Sequence, residues 1–330
     1  MIAFILRRLL QSIAVLVAVG LVAFSLFRYV GDPINAMVGQ DTTMEERAEL
    51  RQKLGLNDPA PIQFLHFIVN AAQGNFGLSY RTSEPVGRMI VERLPATLEL
   101  SFCAALFALL VGVPMGVYTG LYPRHWTSRL FQAVSLVGIS LPTFLIGILL
   151  ILVFAVNLHW LPSFGRGETV QIGWWTTNFL TISGLKALIL PSITLGLFQL
   201  TLIMRLVRAE MLEVMRTDYI KFARARGLTN RAINFGHALK NTLVPVITVT
   251  GLQLGSLIAF AIVTETVFAW PGVGQLFIQS VQFSDIPVMA AYLLLIGLLF
   301  VMINLVVDLL YFVVDPRLRS QGGAARVGGH

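Results

Sequence analysis

Asp218-Tyr219-Ile220-Lys221-Phe222-Ala223-Arg224-Ala225-Arg226-Gly227-Leu228 lies at the centre of a polar, basic stretch, Arg205–Thr242, between two long apolar runs. Asp218 suits the N-cap of a helix over Tyr219–Arg226, and Gly227 suits the C′ position, where a positive φ is needed. Thr229 or Asn230 can cap a second helix that runs toward Lys240. Arg224 and Arg226 place positive charge where the helix dipole favours it. A helix of two turns is not stable alone in water, so it needs a partner: the rest of this chain or another chain. Two readings follow. The stretch is a docking surface for another protein, or it is a basic loop that obeys the charge bias of membrane proteins.

The surroundings decide the fold class. The chain has 330 residues, of which 56% are hydrophobic and 12% charged, with mean hydropathy +0.76. That is too little charge to cover a soluble surface. Long apolar runs without strict alternation predict an all-α polytopic membrane protein and not a barrel. We read six spans: Leu9–Phe27, Leu98–Leu121, Leu130–Val156, Leu188–Met204, Leu243–Val267 and Val288–Phe312. Segments 1–8, 122–129, 205–242 and 313–330 hold 15 Lys and Arg, against 9 in 28–97, 157–187 and 268–287. The positive-inside rule then puts both termini and the 205–242 loop in the cytoplasm. The formal charge of +7 reflects this topology, and no basic-aromatic module points to nucleic acid. Arg7-Arg8 before a long apolar run predicts an uncleaved first span. Cys103 is the single cysteine and lies within a span, which excludes an internal disulfide.

Three organisational units follow: 1–97, a first span with a long external loop; 98–314, a core carrying the 205–242 loop; and 315–330, a Gly- and Arg-containing tail that reads as disordered. In the first loop, Thr43–Leu54 and Ile62–Gln73 suit short amphipathic helices. Asp58-Pro59-Ala60-Pro61 and Gly74-Asn75-Phe76-Gly77 suit turns. This loop is either a receptor surface or a cover over the spans. The second external loop, Asn157–Lys186, reads as irregular. The third, Ala269–Pro287, opens on Trp270-Pro271-Gly272-Val273-Gly274, which breaks a helix and suggests an interfacial or re-entrant turn near the outer mouth.

Chemistry-bearing motifs are missing. Lys53, Lys186, Lys221 and Lys240 do not follow Gly, so there is no Gly-Lys-Ser/Thr phosphate loop. His-Glu-x-x-His and Gly-x-Ser-x-Gly are absent too, and no metal-ligand cluster is visible. The chain reads as a non-enzyme without a cofactor of its own. Glu99, Glu265 and Asp308 are acids within or at the ends of spans, where charge is costly and marks candidate function. Glu99, Glu265, Phe268, Trp270, Pro271 and Gly272 are candidates for the outer mouth of a path. Interfacial anchoring explains the two aromatics equally well. Asp308 suits a pairing with a base such as Arg8. Gly112, Gly116 and Gly120, like Gly251 and Gly255, recur at four-residue spacing. Such stripes let helices approach closely, within the chain or across a subunit or gate contact.

The 218–228 segment resembles the coupling loop of binding-protein-dependent ABC importer permeases. The family pattern Glu-Ala-Ala, three residues, Gly falls on Lys221-Phe222-Ala223 and Gly227, where the second Ala and the Gly match. Asp218-Tyr219-Ile220, Ala223 to Leu228, His237-Ala238-Leu239-Lys240-Asn241 and Pro245 are similar to the dipeptide/oligopeptide subgroup. So are Leu54-Gly55-Leu56, Gly74 to Ser79 (with Asn75 where Asp is common), Pro95 to Leu100 and Glu265 to Gly274. Asn304, Asp308 and Asp315-Pro316-Arg317 also fit. The resemblance covers nearly the whole chain. It implies a type I ABC importer permease fold in a bacterial inner membrane, with a coupling helix between spans four and five. It implies as partners a second homologous permease, two ATPase subunits that bind ATP and Mg, a periplasmic binding protein and membrane lipid. Asp218, Tyr219, Ile220, Ala223, Arg224, Ala225, Gly227 and Leu228 would contact the ATPase. Peptides are the implied cargo. An ion-coupled carrier or channel acting alone would account for the spans and buried acids, but not for the two capped helices.

Overall fold

A computed structural model of the chain describes residues 2–29, 43–53 and 57–314. Its centre is a pair of long helices, α4 (Val86–Leu121) and α7 (Ile182–Val214). The glycine stripe of α4 explains the pairing. A Cβ at Gly116 would stand 2.5 Å from Val207 Cβ, and one at Gly120 2.7 Å from Met211 Cβ. A Cβ at Gly112 would stand 3.0 Å from the Leu200 carbonyl oxygen, and from the other side one at Gly196 would stand 2.6 Å from that of Ala104. Contacts advance together along both helices, so α4 and α7 run parallel. Backbones this close gain dispersion contact that larger side chains would forbid.

Around this pair stand α1 (Ile2–Tyr29), α5 (Trp126–Ser140), α6 (Thr143–Leu150), α9 (Leu239–Val267) and α11 (Ile286–Val314). Helix α6 continues as a π-helical segment, Ile151–Asn157. Gly251 and Gly255 face α11, where added Cβ atoms would stand 2.7 Å from Val307 and 2.8 Å from Phe300. Both glycine stripes therefore meet helices of this same chain.

Among the described residues four helices are long and apolar enough to cross a membrane, or up to six spans if each of two bent pairs counts as one. The expected third span is one bent pair, because Pro142 ends α5 and starts α6. The fifth bends between Pro245–Gly251 and Gly255–Val267. The second span is longer than the hydropathy suggested, since α4 begins at Val86 and continues through Pro95 and Pro114. Membrane helices tolerate such prolines because neighbours satisfy the freed carbonyls.

The connections carry structure of their own. Helices α2 (Met44–Lys53) and α3 (Ala60–Ala72) occupy the first loop. Phe64 of α3 stacks edge-on against Phe24 of α1, and Phe67 against Phe27. Gly74 and Gly77 have φ of 75° and 81°, as the turn there requires. The second loop is not irregular throughout. Strands β1 (Val170–Ile172) and β2 (Trp175–Thr177) pair antiparallel, with Ile172 opposite Trp175. Gly173, φ 63°, supplies the positive φ that a two-residue hairpin turn needs. Sequence missed the hairpin because three-residue strands give no readable alternation. The third loop folds back as α10 (Val273–Gln282), packed against α4, α9 and α11. Leu54-Gly55-Leu56, residues 30–42, the side chain of Asp308 and the 315–330 tail lie outside the described residues.

Candidate functional site: a projecting two-turn helix and three buried acids

Helix α8 (Asp218–Ala225) lies between α7 and α9. It begins one residue earlier than the capping pattern suggested. Asp218 is its first residue, and the preceding Thr217 donates its hydroxyl to the Val214 carbonyl (2.6 Å) and does not cap α8. The Asp218 carboxylate instead accepts from Lys221 Nζ (2.8 Å) on the exposed face. The C-terminus follows the expectation. Gly227 has φ 78°, its N–H donates to Arg224 O (2.9 Å), and the Leu228 N–H donates to Ala223 O (3.3 Å). That pair of bonds is a Schellman motif, which satisfies carbonyls that the helix end would leave open. Thr229 then caps the next turn, accepting at Oγ1 from the Ala232 N–H (3.3 Å). The chain continues through a π-helical segment, Ala232–Ala238, directly into α9.

Two buried residues form the apolar anchor of α8. Ile220 and Ala223, one turn apart, are buried in one cluster with Val207, Met211, Ile233 and Ala238. Burying an isoleucine contributes about 1.5–3 kcal/mol toward holding the helix in place. The rest of α8 faces outward. Phe222 is 63% exposed, Tyr219 40% and Leu228 41%. Arg224 and Arg226 are exposed beside them, with the Arg226 guanidinium 5.8 Å from the centre of the Phe222 ring. The outward face of this two-turn helix is therefore aromatic and basic.

At the other end of the α4–α7 pair, three buried acids tie separate loops to the core. Glu99 accepts from Arg166 Nη2 (2.9 Å), Trp175 Nε1 (3.0 Å) and the Asn178 N–H (3.1 Å). Arg166 also donates to the Thr176 hydroxyl (2.8 Å), the Thr176 carbonyl (2.6 Å) and Asn178 Oδ1. This network pins the hairpin onto α4. Glu265, fully buried, accepts from the Thr97 hydroxyl (2.5 Å) and from the Gln275 N–H (2.9 Å) in the first turn of α10. It thereby caps α10. Thr97 Oγ1 in turn accepts from the Val273 N–H (2.9 Å). Asp285 accepts from the Ser79 hydroxyl (2.5 Å) and the Tyr80 N–H (3.0 Å), joining the first loop to the start of α11.

The other outer-mouth candidates pack around Glu265. Trp270 is buried, and its Nε1 donates to the Ala96 carbonyl (2.9 Å). Phe268 is buried against Leu190 and Ala155. A Cβ on Gly272 would fall on the Glu265 carboxylate. Pro271 is exposed. Glu265, Phe268, Trp270 and Gly272 thus come together as one folded turn, with Glu99 further along α4. Among the described residues no three His, Cys, Asp or Glu gather as a metal site.

Residues 112–320 match the family described as binding-protein-dependent transport system inner membrane component, and residues 1–101 match its N-terminal companion. The chain belongs to this permease family. The permease is 41% identical over 335 residues to the di/tripeptide transport system permease protein DppB of Pseudomonas aeruginosa, covering 97% of this chain and 100% of that one. It is 38% identical over 332 residues to the dipeptide transport system permease protein DppB of Alkalihalophilus pseudofirmus, with the same coverage. The glutathione transport system permease protein GsiC of Escherichia coli K12 is 37% identical over 320 residues, covering 97% and 99%. Among solved structures, the inward-facing MetNI methionine ABC transporter shares the fold. The TM-score is 0.55 at 21% identity, over 69% of this chain and 96% of that one.

Sequence reading found the permease's projecting helix and two of the three buried acids. It missed Arg166, Asp285, Ser79 and Thr97. Arg166 lies 67 residues from Glu99, and Asp285 lies 206 from Ser79, so no local pattern announces either pair.

Proposed function

We propose that this permease is a membrane subunit of an ATP-driven importer for di- and oligopeptides in a bacterial inner membrane. It pairs with a second, homologous permease and encloses a path with it. Two ATPase subunits, which bind ATP and Mg, dock on the two coupling helices. A periplasmic binding protein delivers cargo to the outer loops. Both termini and the Arg205–Thr242 loop face the cytoplasm, as the distribution of Lys and Arg supports.

One observation carries the reading: α8 buries Ile220 and Ala223 on its inner face and leaves Phe222 and Arg224 exposed, with Leu228 exposed just beyond its end. A partner's groove supplies the burial that Phe222 lacks. The names of the full-length relatives support peptides as cargo. Glu99, Glu265, Phe268, Trp270, Pro271 and Gly272 then frame the outer mouth from behind. The buried acids set where the hairpin and α10 stand, and the exposed loop surfaces meet the binding protein.

The test is uptake and ATP hydrolysis in the reconstituted transporter. Arg224→Glu and Gly227→Pro should leave the permease in the membrane but separate ATP hydrolysis from peptide uptake. Normal, ATP-dependent uptake by both variants would remove the coupling role from α8.

A further inference from the structure

We infer that Asn241, together with Tyr219, is a positioning pair that carries movement of α8 into the bent span formed by α9. This rests on the coupling role proposed above for α8.

Ile220 and Ala223 hold α8 by apolar contact, which is non-directional and leaves its rotation free. The covalent route from α8 to α9 passes through the π-helical segment Ala232–Ala238. A π turn has one residue more than the α-helix accommodates and its bonds run i→i+5, so it is a soft joint. A pull on α8 would be taken up there. The Tyr219–Asn241 hydrogen bond bypasses the joint. Asn241 Nδ2 donates to Tyr219 Oη at 2.7 Å, from a residue beyond the π segment to one before it. The same Nδ2 lies 3.3 Å from the His237 carbonyl, within the last turn of that segment.

Asn241 also lies one turn before Pro245, within the first turn of α9. Pro245 has no N–H to give the residue four positions back, and that residue is Asn241. The first arm of the bent span starts at Pro245. So the side chain of Asn241 holds the coupling helix, while its carbonyl marks the proline-weakened turn. A directional contact at this residue passes rotation of α8 to the arm above it.

The experiment uses the complete transporter in liposomes and reads ATP hydrolysed per peptide imported. Asn241→Leu keeps the side-chain size and removes the bond. Asn241→Asp keeps it in reverse, with the Tyr219 hydroxyl donating to the new carboxylate. We expect Asn241→Leu and Tyr219→Phe each to raise the ratio about five-fold, the scale of one lost hydrogen bond. The two combined should do no more than either alone, and Asn241→Asp should stay near wild type. The inference is overturned if Asn241→Leu keeps the wild-type ratio, if Asn241→Asp fails as badly as Leu, or if the double variant shows the product of the two singles. Where Asn241→Leu does not assemble, Tyr219→Phe decides alone. A wild-type complex in which peptide uptake ignores ATP would contradict the proposed function itself, and the inference with it.

Discussion

Arg166 and Glu99 form a buried pair, 8% and 2% exposed, in which each group has further hydrogen bonds. Removing one member leaves a buried charge without its counter-ion, at a cost of about 3–5 kcal/mol. Glu99→Gln and Arg166→Met should each lower the thermal stability of the detergent-solubilised permease. The double replacement should recover part of the loss. Equal stability of all four proteins would show that the pair contributes nothing. Glycines give a second test at this scale. At Gly272 a side chain meets the Glu265 carboxylate, whereas at Gly236 it meets open space. Gly272→Ala should deplete folded protein in the membrane, and Gly236→Ala should not, as membrane abundance on a blot would report. These residues also mark the limit of sequence reading. Glu99 and Glu265 stood out because charge in a span is costly. What they do there depended on partners far along the chain.

Helix α8 was legible almost to the residue, since its C-terminal signal is local: only Gly takes φ 78° readily, and Gly227 ends the motif. Its start was misplaced by one residue because Thr217 and Asp218 are both good capping types, and the hydroxyl of Thr217 is engaged by Val214. The spans were legible from hydropathy. The break at Pro142, the hairpin and α10 were not, since each owes its form to packing against α4, α7 or α9. Predictions for elements follow from burial. Ile220→Ala should free α8 from its cluster, at a cost of about 2–5 kcal/mol, and make the 218–228 segment sensitive to limited proteolysis. Phe222→Ala, at an exposed position, should leave proteolysis unchanged but weaken recovery of ATPase subunits on purification. If the two substitutions behave alike in both assays, the division of α8 into an anchored and a docking face is wrong.

At the scale of the whole molecule, the chain divides its polar residues between two ends of an apolar bundle. One end carries α8 with its aromatic, basic face. The other carries the hairpin and α10, fixed by Glu99, Glu265 and Asp285. The parallel α4–α7 pair, closed by Gly112, Gly116, Gly120 and Gly196, connects the two ends as a rigid post. A larger residue on this stripe, such as Gly116→Leu, should separate the helices and abolish membrane accumulation of the protein. The proposed importer draws its energy from ATPase subunits outside the chain.

The most direct measurement is therefore purification of the tagged permease from native membranes in mild detergent, with mass spectrometry of its companions. The account predicts a second permease of the same family and ATPase subunits carrying a phosphate-binding loop, with the ATPase subunits lost and the second permease kept when α8 carries Arg224→Glu and Phe222→Ala. Recovery as a homo-oligomer with no ATPase, unchanged by those substitutions, would contradict it.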